Sequence, residues 1–504
     1  MSGSTIAVFQ NQRSFSAPPV NTVAPAVSGT ATVGQTLSST TGTWTGLPTP
    51  TFTYQWQRAG SNISGATSST YVLVNADASN TIRCVVTATN TVSAVDANSN
   101  STASVAAIVP GAPTIGTATS TGSTTATVSF TAPASNGGAA ITSYTAVSSP
   151  GSITGTLSQA GSGTISVSGL SGGTSYTFTV YATNSAGNSA SSSASNSIST
   201  PLYAFSNFTF TNAGASGANG PSLATIQSAY SGTSWTQNTA YLNMSTNGYQ
   251  LWTVPETANY SIDAFGAISG YGSYTGTYGK GARSLGTFAL TAGQVIAIAV
   301  GQVGQYGGTG FQANSTGAGG GGTFVYNTSS STLLTVAGGG GGASSCSTAG
   351  FPALTGTHAG RGGDNSTTDA DYAGGSRGGS SGNGGSAIYS SSTVGGAGGG
   401  GGYLSDGATS PIDGNGRYAY GGLGYSNGLI GGVGRYTPDG NGGFGGGGGG
   451  GNYGGGGGGG YSGGGAGSSN GYAGGGGASY NSGSNQTISA NASSGNGYVV
   501  VTKL

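Results

Sequence analysis

Charge is what this chain lacks most. Its 504 residues carry 10 acidic and 10 basic side chains, 4% of the total with a net charge of zero, against roughly 25% in an ordinary globular protein. The water-facing surface must therefore be made by Ser, Thr, Asn and Gly. Singly scattered charges offer no basic face, so no nucleic acid is expected as a partner, and the two copies Arg361-Gly-Gly and Arg377-Gly-Gly are too few to track a phosphate backbone. No stretch of 18 apolar residues occurs, which excludes a spanning helix and with it that mode of membrane insertion. The start, Met1 to Gln10, has neither a basic n-region nor a long apolar h-region, so no Sec leader is expected.

Groups able to do catalysis are as scarce. Glu256 is the only glutamate, His358 the only histidine, and Cys84 and Cys346 the only cysteines. Glu256 follows Pro255 and reads as a solvated turn residue. A Cys346/His358 nucleophile pair has no third group to orient it, two distant cysteines make no disulfide framework, and no pair of carboxylates is spaced for glycan cleavage. Asp364, Asp369 and Asp371 form a small acidic group, and Asp406, Asp413-Gly-Asn415 and Asp439-Gly-Asn441 recur further on. These are turn formers first, and neither an EF-hand loop nor a calcium-binding repeat surrounds them. The expectation is a protein without enzymatic activity, with no catalytic residue, no metal and no cofactor.

What is present is β-patterning. Alternating Thr/Val/Tyr/Phe segments recur between Gly, Pro and Asn clusters, which predicts an all-β chain. Residues 1–19 are read as an N-terminal attachment segment. Residues 20–109 carry Gly42-Thr-Trp44, Tyr54-Gln-Trp56-Gln-Arg58, Tyr71-Val-Leu73 and Ile82-Arg-Cys84-Val-Val86. This spacing resembles an immunoglobulin-like domain, with Trp56 in the place of the buried third-strand Trp and Cys84 in that of the second Cys. The first Cys is missing, so packing must replace the inter-sheet disulfide, and Trp44 and Trp56 are both expected in the core. Residues 110–201 run through Val128-Ser-Phe130, Ile141-Thr-Ser-Tyr144 and Tyr176-Thr-Phe178-Thr-Val180. They resemble a fibronectin type III domain, with Phe130 where that family usually has Trp.

The third segment, 202–504, holds the glycine runs 338–342, 398–402, 445–451, 454–460 and 474–477. Period-2 strands precede them, lead into them and close the chain at Gly497-Tyr-Val-Val-Val-Thr502, so the runs are inserted in a fold and not appended as a tail. Without side chains, three-residue-per-turn polyglycine II rods rising about 3.1 Å per residue can pack side by side through backbone contacts. The motifs Trp252-Thr-Val-Pro255, Val300-Gly-Gln302, Gly-Gly-Thr-Phe-Val325 and Leu333-Leu-Thr-Val336 resemble the glycine-rich domain of anaplastic lymphoma kinase receptors and of many marine phage proteins. The resemblance implies a jelly-roll-like β-sandwich carrying packed polyglycine II helices.

Tyrosines interrupt the runs. Tyr403, Tyr418, Tyr420, Tyr425, Tyr436 and Tyr453 stand amid Ser, Asn and Gly, a composition like that of antibody paratopes. Two readings stay open: these six bind a receptor, or they cap and pack the glycine lattice. The whole reads as a phage virion protein, a tail or surface fibre, that joins other virion proteins through its N-terminal segment. Its distal glycine-rich domain would then recognise a host-surface glycan or outer-membrane protein. A capsid or tail decoration protein and a bacterial surface adhesin or filament subunit are the alternatives. Either a monomer or a homo-oligomer suits the pattern.

Overall fold

A computed structural model describes residues 15–272, 278–306, 316–345, 349–363, 375–387, 396–412, 416–435, 440–468 and 471–504. The chain divides into two compact units, Met1–Thr200 and Pro201–Leu504. Nearly all regular structure is antiparallel β. The exception of note is the helix Leu223–Ala229, started by Ser222, whose side chain accepts from the Thr225 N–H. Sequence patterning passed over this seven-residue helix because two turns are too short for a 3.6-residue period to show.

The first unit contains two β-sandwiches. In the first, Thr51–Arg58 and Ile82–Thr89 pair so that Trp56 lies opposite Cys84, and both are fully buried with Leu37, Leu73 and Val86. Trp56 stacks on Tyr71 at 5.7 Å and donates its indole N–H to the Ser68 carbonyl. Burial raises the Cys84 thiol above its usual range. Trp44 departs from expectation: it is only half-buried, lying on the edge strand Thr43–Leu47 against Phe52 with its N–H on the Thr41 carbonyl. The strand Ala17–Val23 pairs with that edge, so the expected boundary at residue 19 falls inside a strand. Pro18 and Pro19 lie in this strand, and an edge strand is where a sheet tolerates proline.

The second sandwich sets Thr114–Gly122, Thr125–Thr131 and Gly163–Ser168 against a sheet built on Ser143–Ser149 and Ser175–Asn184. Its core centres on Phe130 and Tyr144, with ring centroids 4.2 Å apart.

The second unit begins as a third sandwich. One sheet orders Asn207–Thr211, Tyr498–Lys503, Ala258–Phe265, Arg283–Leu290 and Ser484–Ser489. The other orders Leu242–Asn243, Tyr249–Thr253, Val295–Ala299, Thr323–Asn327, Thr332–Ala337 and Tyr480–Asn481. The chain crosses repeatedly between them in jelly-roll-like fashion over a core containing Trp252, Tyr260, Phe210, Ile262 and Val501.

At one end of this sandwich the strands turn into glycine rods. Residues 317–322 lead into Thr323–Asn327, Ala337 leads into 338–342, and 473–478 lead into Tyr480–Asn481. The central rod, 454–460, shows how they pack. Gly455 and Gly458 donate to Tyr472 and Gly475, Gly456 and Gly459 to Gly317 and Gly320, Gly457 and Gly460 to Gly398 and Gly401, at 2.9 to 3.3 Å. Each donor direction repeats every third residue, the period of a polyglycine II helix. The carbonyls repeat the pattern: those of Gly454 and Gly457 accept from Gly451 and Gly448, those of Gly455 and Gly458 from Gly467 and Gly464, and those of Gly456 and Gly459 from Gly342 and Gly339. Three parallel neighbours receive hydrogen bonds and three antiparallel neighbours give them, so six rods surround one. The N–H groups of 455–460 and the carbonyls of 454–459 are thereby all satisfied.

Candidate functional site

The direction of the rods sorts the tyrosines. Because 454–460 runs parallel to the rod entering Thr323–Asn327, residue 460 lies at the sandwich end of the lattice and residue 454 at the opposite end. The turns at Tyr403, Tyr425 and Tyr461 therefore lie against the sandwich, where they form an aromatic row. Tyr425 meets Tyr249 at 5.5 Å, Phe324 at 5.6 Å, Tyr326 at 5.3 Å and Tyr403 at 5.5 Å. Tyr403 continues to Tyr461, which stacks on Tyr480 at 4.9 Å. Burial pushes the Tyr425 and Tyr249 hydroxyls far above their ordinary titration range. Both Tyr403 and Tyr425 thus pack the junction of sheet and lattice.

Tyr418 and Tyr420 sit differently. They flank Ala419 on a rod at the outer face of the lattice, with rings edge to face at 4.7 Å and hydroxyls hydrogen-bonded at 2.9 Å. Tyr420 is 42% exposed, and the hydrogen bond to Tyr418 is the main cause raising its pKa. Tyr453 stands at the end of the lattice away from the sandwich, in the turn before the central rod, with φ of 68°. Tyr436 lies outside the described residues, as do Cys346, Asp364, Asp369, Asp371, Asp413 and Asp439.

The outer face has a rule that sequence reading missed. Asp406, Thr409 and Ile412 are exposed on one rod, Arg417 and Tyr420 on the next, and Ile430 and Val433 on a third. The spacing is three, and the rods are neighbours: Gly407 and Ser410 donate to Gly422 and Ala419, and Tyr420 donates to Val433. On a three-fold rod every third residue points the same way. Side chains at that period mark where the lattice stops and solvent begins.

The acidic side chains among the described residues are engaged, whereas His358 is exposed. Glu256 pairs with Lys503 instead of standing free in its turn. Asp406 accepts from the Gly424 N–H at 2.7 Å and, with both oxygens, from Asn427 at 2.9 Å, so it pins the turn that carries Tyr425. Asp263 and Arg283 form a two-pronged pair at 2.8 and 2.9 Å. Asp77, fully buried in the first sandwich, accepts from Arg58, the Tyr71 hydroxyl and the Val74 N–H. Among the described residues no three His, Cys, Asp or Glu side chains come together as a metal site would require.

Known proteins bear on parts of this chain. Residues 111–198 match the fibronectin type III domain family. The second sandwich is a fibronectin type III domain. That domain keeps its aromatic centre with Phe130 and Tyr144 sharing the core. The leukocyte tyrosine kinase receptor of Mus musculus is 36% identical over 110 residues, which are 22% of this chain and 12% of the receptor, so the chain spans a small part of that relative's length. Among solved structures, a domain segment of titin is 22% identical with a TM-score of 0.20, covering 37% of this chain and 67% of that one. The FN1-FN3 domains of chicken CNTN1 are 17% identical with a TM-score of 0.19, covering 36% and 68%.

Proposed function

We propose that this chain is a non-enzymatic recognition protein of a phage virion, a tail or surface fibre. In this reading two sandwich spacers carry a glycine-rich domain that contacts the host surface. The observation that carries the reading is the central rod with its six hydrogen-bonded neighbours. Such a lattice holds its turns and outer face in place with little side-chain core, a rigid frame from which loops can differ in sequence. The Tyr418/Tyr420 pair, Tyr420 exposed and Tyr418 half-buried, supplies amphipathic contact area on that frame. Engagement of Glu256, Asp77 and Asp263 in ion pairs supports a role without acid–base chemistry.

The test is genetic. Virions lacking residues 201–504 should assemble in normal yield and adsorb poorly to host cells. Normal adsorption would overturn the adhesin role and leave a decorating one.

A further inference from the structure

A second surface, on the sandwich and apart from the tyrosine inserts, has the chemistry of a ligand cleft. It lies beside Phe205, Ser206, Asn207, Thr233, Ser234 and Trp235 and measures about 510 Å³, within the roughly 300 to 1,000 Å³ of small-molecule sites. Asn207 pairs with Thr502 at the strand end remote from the lattice, whereas Thr211 pairs with Tyr498 at the lattice side.

Trp235 is the informative residue. Of the four tryptophans, Trp44, Trp56 and Trp252 each donate the indole N–H, to the Thr41 carbonyl, the Ser68 carbonyl and the Tyr203 hydroxyl. Trp235 is 8% exposed and held by the rings of Tyr203, Phe205 and Phe208. Its N–H has no acceptor among the described residues and is not sealed from solvent. A buried indole N–H normally finds a partner. Here the opening to the cleft supplies the place for one.

The rim selects the chemistry. None of the cleft residues is charged. Nearby, the Lys503 N–H is on the Ser206 carbonyl, and the Lys503 ammonium is taken by Glu256. The side chains of Ser206, Asn207, Thr233 and Ser234 make no hydrogen bond among the described residues. They offer uncharged groups that both donate and accept, while Trp235 only donates. An apolar aromatic surface from Phe205 and Trp235, ringed by such groups, matches a ligand with C–H faces and hydroxyls.

We infer that this cleft binds a neutral saccharide. The ligand's oxygen accepts from the Trp235 N–H, its hydroxyls pair with Asn207 and Ser234, and its C–H face lies on the aromatic rings. The inference is independent of any role for Tyr418 and Tyr420.

Saturation-transfer NMR of the full chain with maltose, lactose and cellobiose tests it. Transfer to at least one disaccharide is expected, weakened about tenfold in Asn207→Ala and in Ser234→Ala, each removing about one net hydrogen bond. Trp235→Phe should weaken it likewise while keeping a ring in place. Both rim residues are exposed, so their variants should keep the wild-type melting midpoint even if Trp235→Phe fails to fold. Tyr420→Ala should leave the transfer unchanged. No transfer to any of the three sugars would overturn the inference, as would transfer unaffected by the rim variants or equal competition by triglycine.

Discussion

A methyl group placed on Gly457 would stand 2.0 Å from the carbonyl oxygen of Gly464. No real side chain tolerates that approach, and the obstacle is backbone on a neighbouring rod, which cannot rotate away. Gly457→Ala should therefore lower the stability of the second unit by about 3 kcal/mol. Gly356→Ala is the control, since its Cβ meets open space and should change stability by less than about 0.5 kcal/mol. Denaturant midpoints of the two variants, compared with the parent, decide the matter. Equal midpoints would mean that the rods pack more loosely than described.

The first sandwich has no disulfide across its core, and the Arg58/Asp77 pair is its main polar tie. Asp77 is fully buried and holds Arg58 at 2.7 Å. Asp77→Ala leaves Arg58, the Tyr71 hydroxyl and the Val74 N–H without their shared acceptor, and a loss of roughly 3 kcal/mol is expected. Thermal unfolding followed at Trp56 fluorescence reads this directly.

The two groups of tyrosines should separate in one experiment. Tyr425→Ala opens the aromatic row and should cost about 3 to 4 kcal/mol of stability. Tyr420→Ala, on the outer face, should cost less than about 1 kcal/mol and yet reduce adsorption of virions carrying it. Full adsorption by the Tyr420 variant would remove that residue from any recognition surface.

High pH should unfold the second unit through its buried phenols. Burial raises the Tyr260 hydroxyl from 10 to about 12. The folded state therefore holds this proton at pH values where the unfolded chain has released it. The stability from the neutral phenol is complete below pH 10 and is lost as pH rises through 12. Tyr203, Tyr230 and Tyr249 shift in the same direction. Circular dichroism across this window should show a cooperative loss of structure that Tyr260→Phe makes shallower.

Much of this was legible as periodicity. Trp56 and Cys84 could be placed because their spacing resembles that of an immunoglobulin-like domain, whose third-strand Trp and second Cys face each other in the core. The glycine runs could be read as rods because strands enter and leave them. Trp44 was misplaced because alternation shows which face a residue is on but not whether the strand is an edge. Asp77 escaped because its partner is 19 residues away and meets it only through a 3-10 turn. The outer face escaped because the three-residue period was applied only to the glycine runs, whereas Thr409/Ile412 and Ile430/Val433 repeat at 3 in the stretches between them. Phe205 and Trp235 share a cleft only through tertiary packing, which no local spacing announces.

The six-neighbour rod also bears on how this protein responds to temperature. Unfolding an ordinary core exposes hydrocarbon, which raises heat capacity by about 0.45 cal/mol/K per Å², whereas exposing amide lowers it by about 0.26. A lattice of glycine releases mostly amide. Its enthalpy and entropy of unfolding should therefore vary little with temperature, giving a broad, shallow stability curve that holds the outer face in one shape from cold water to warm.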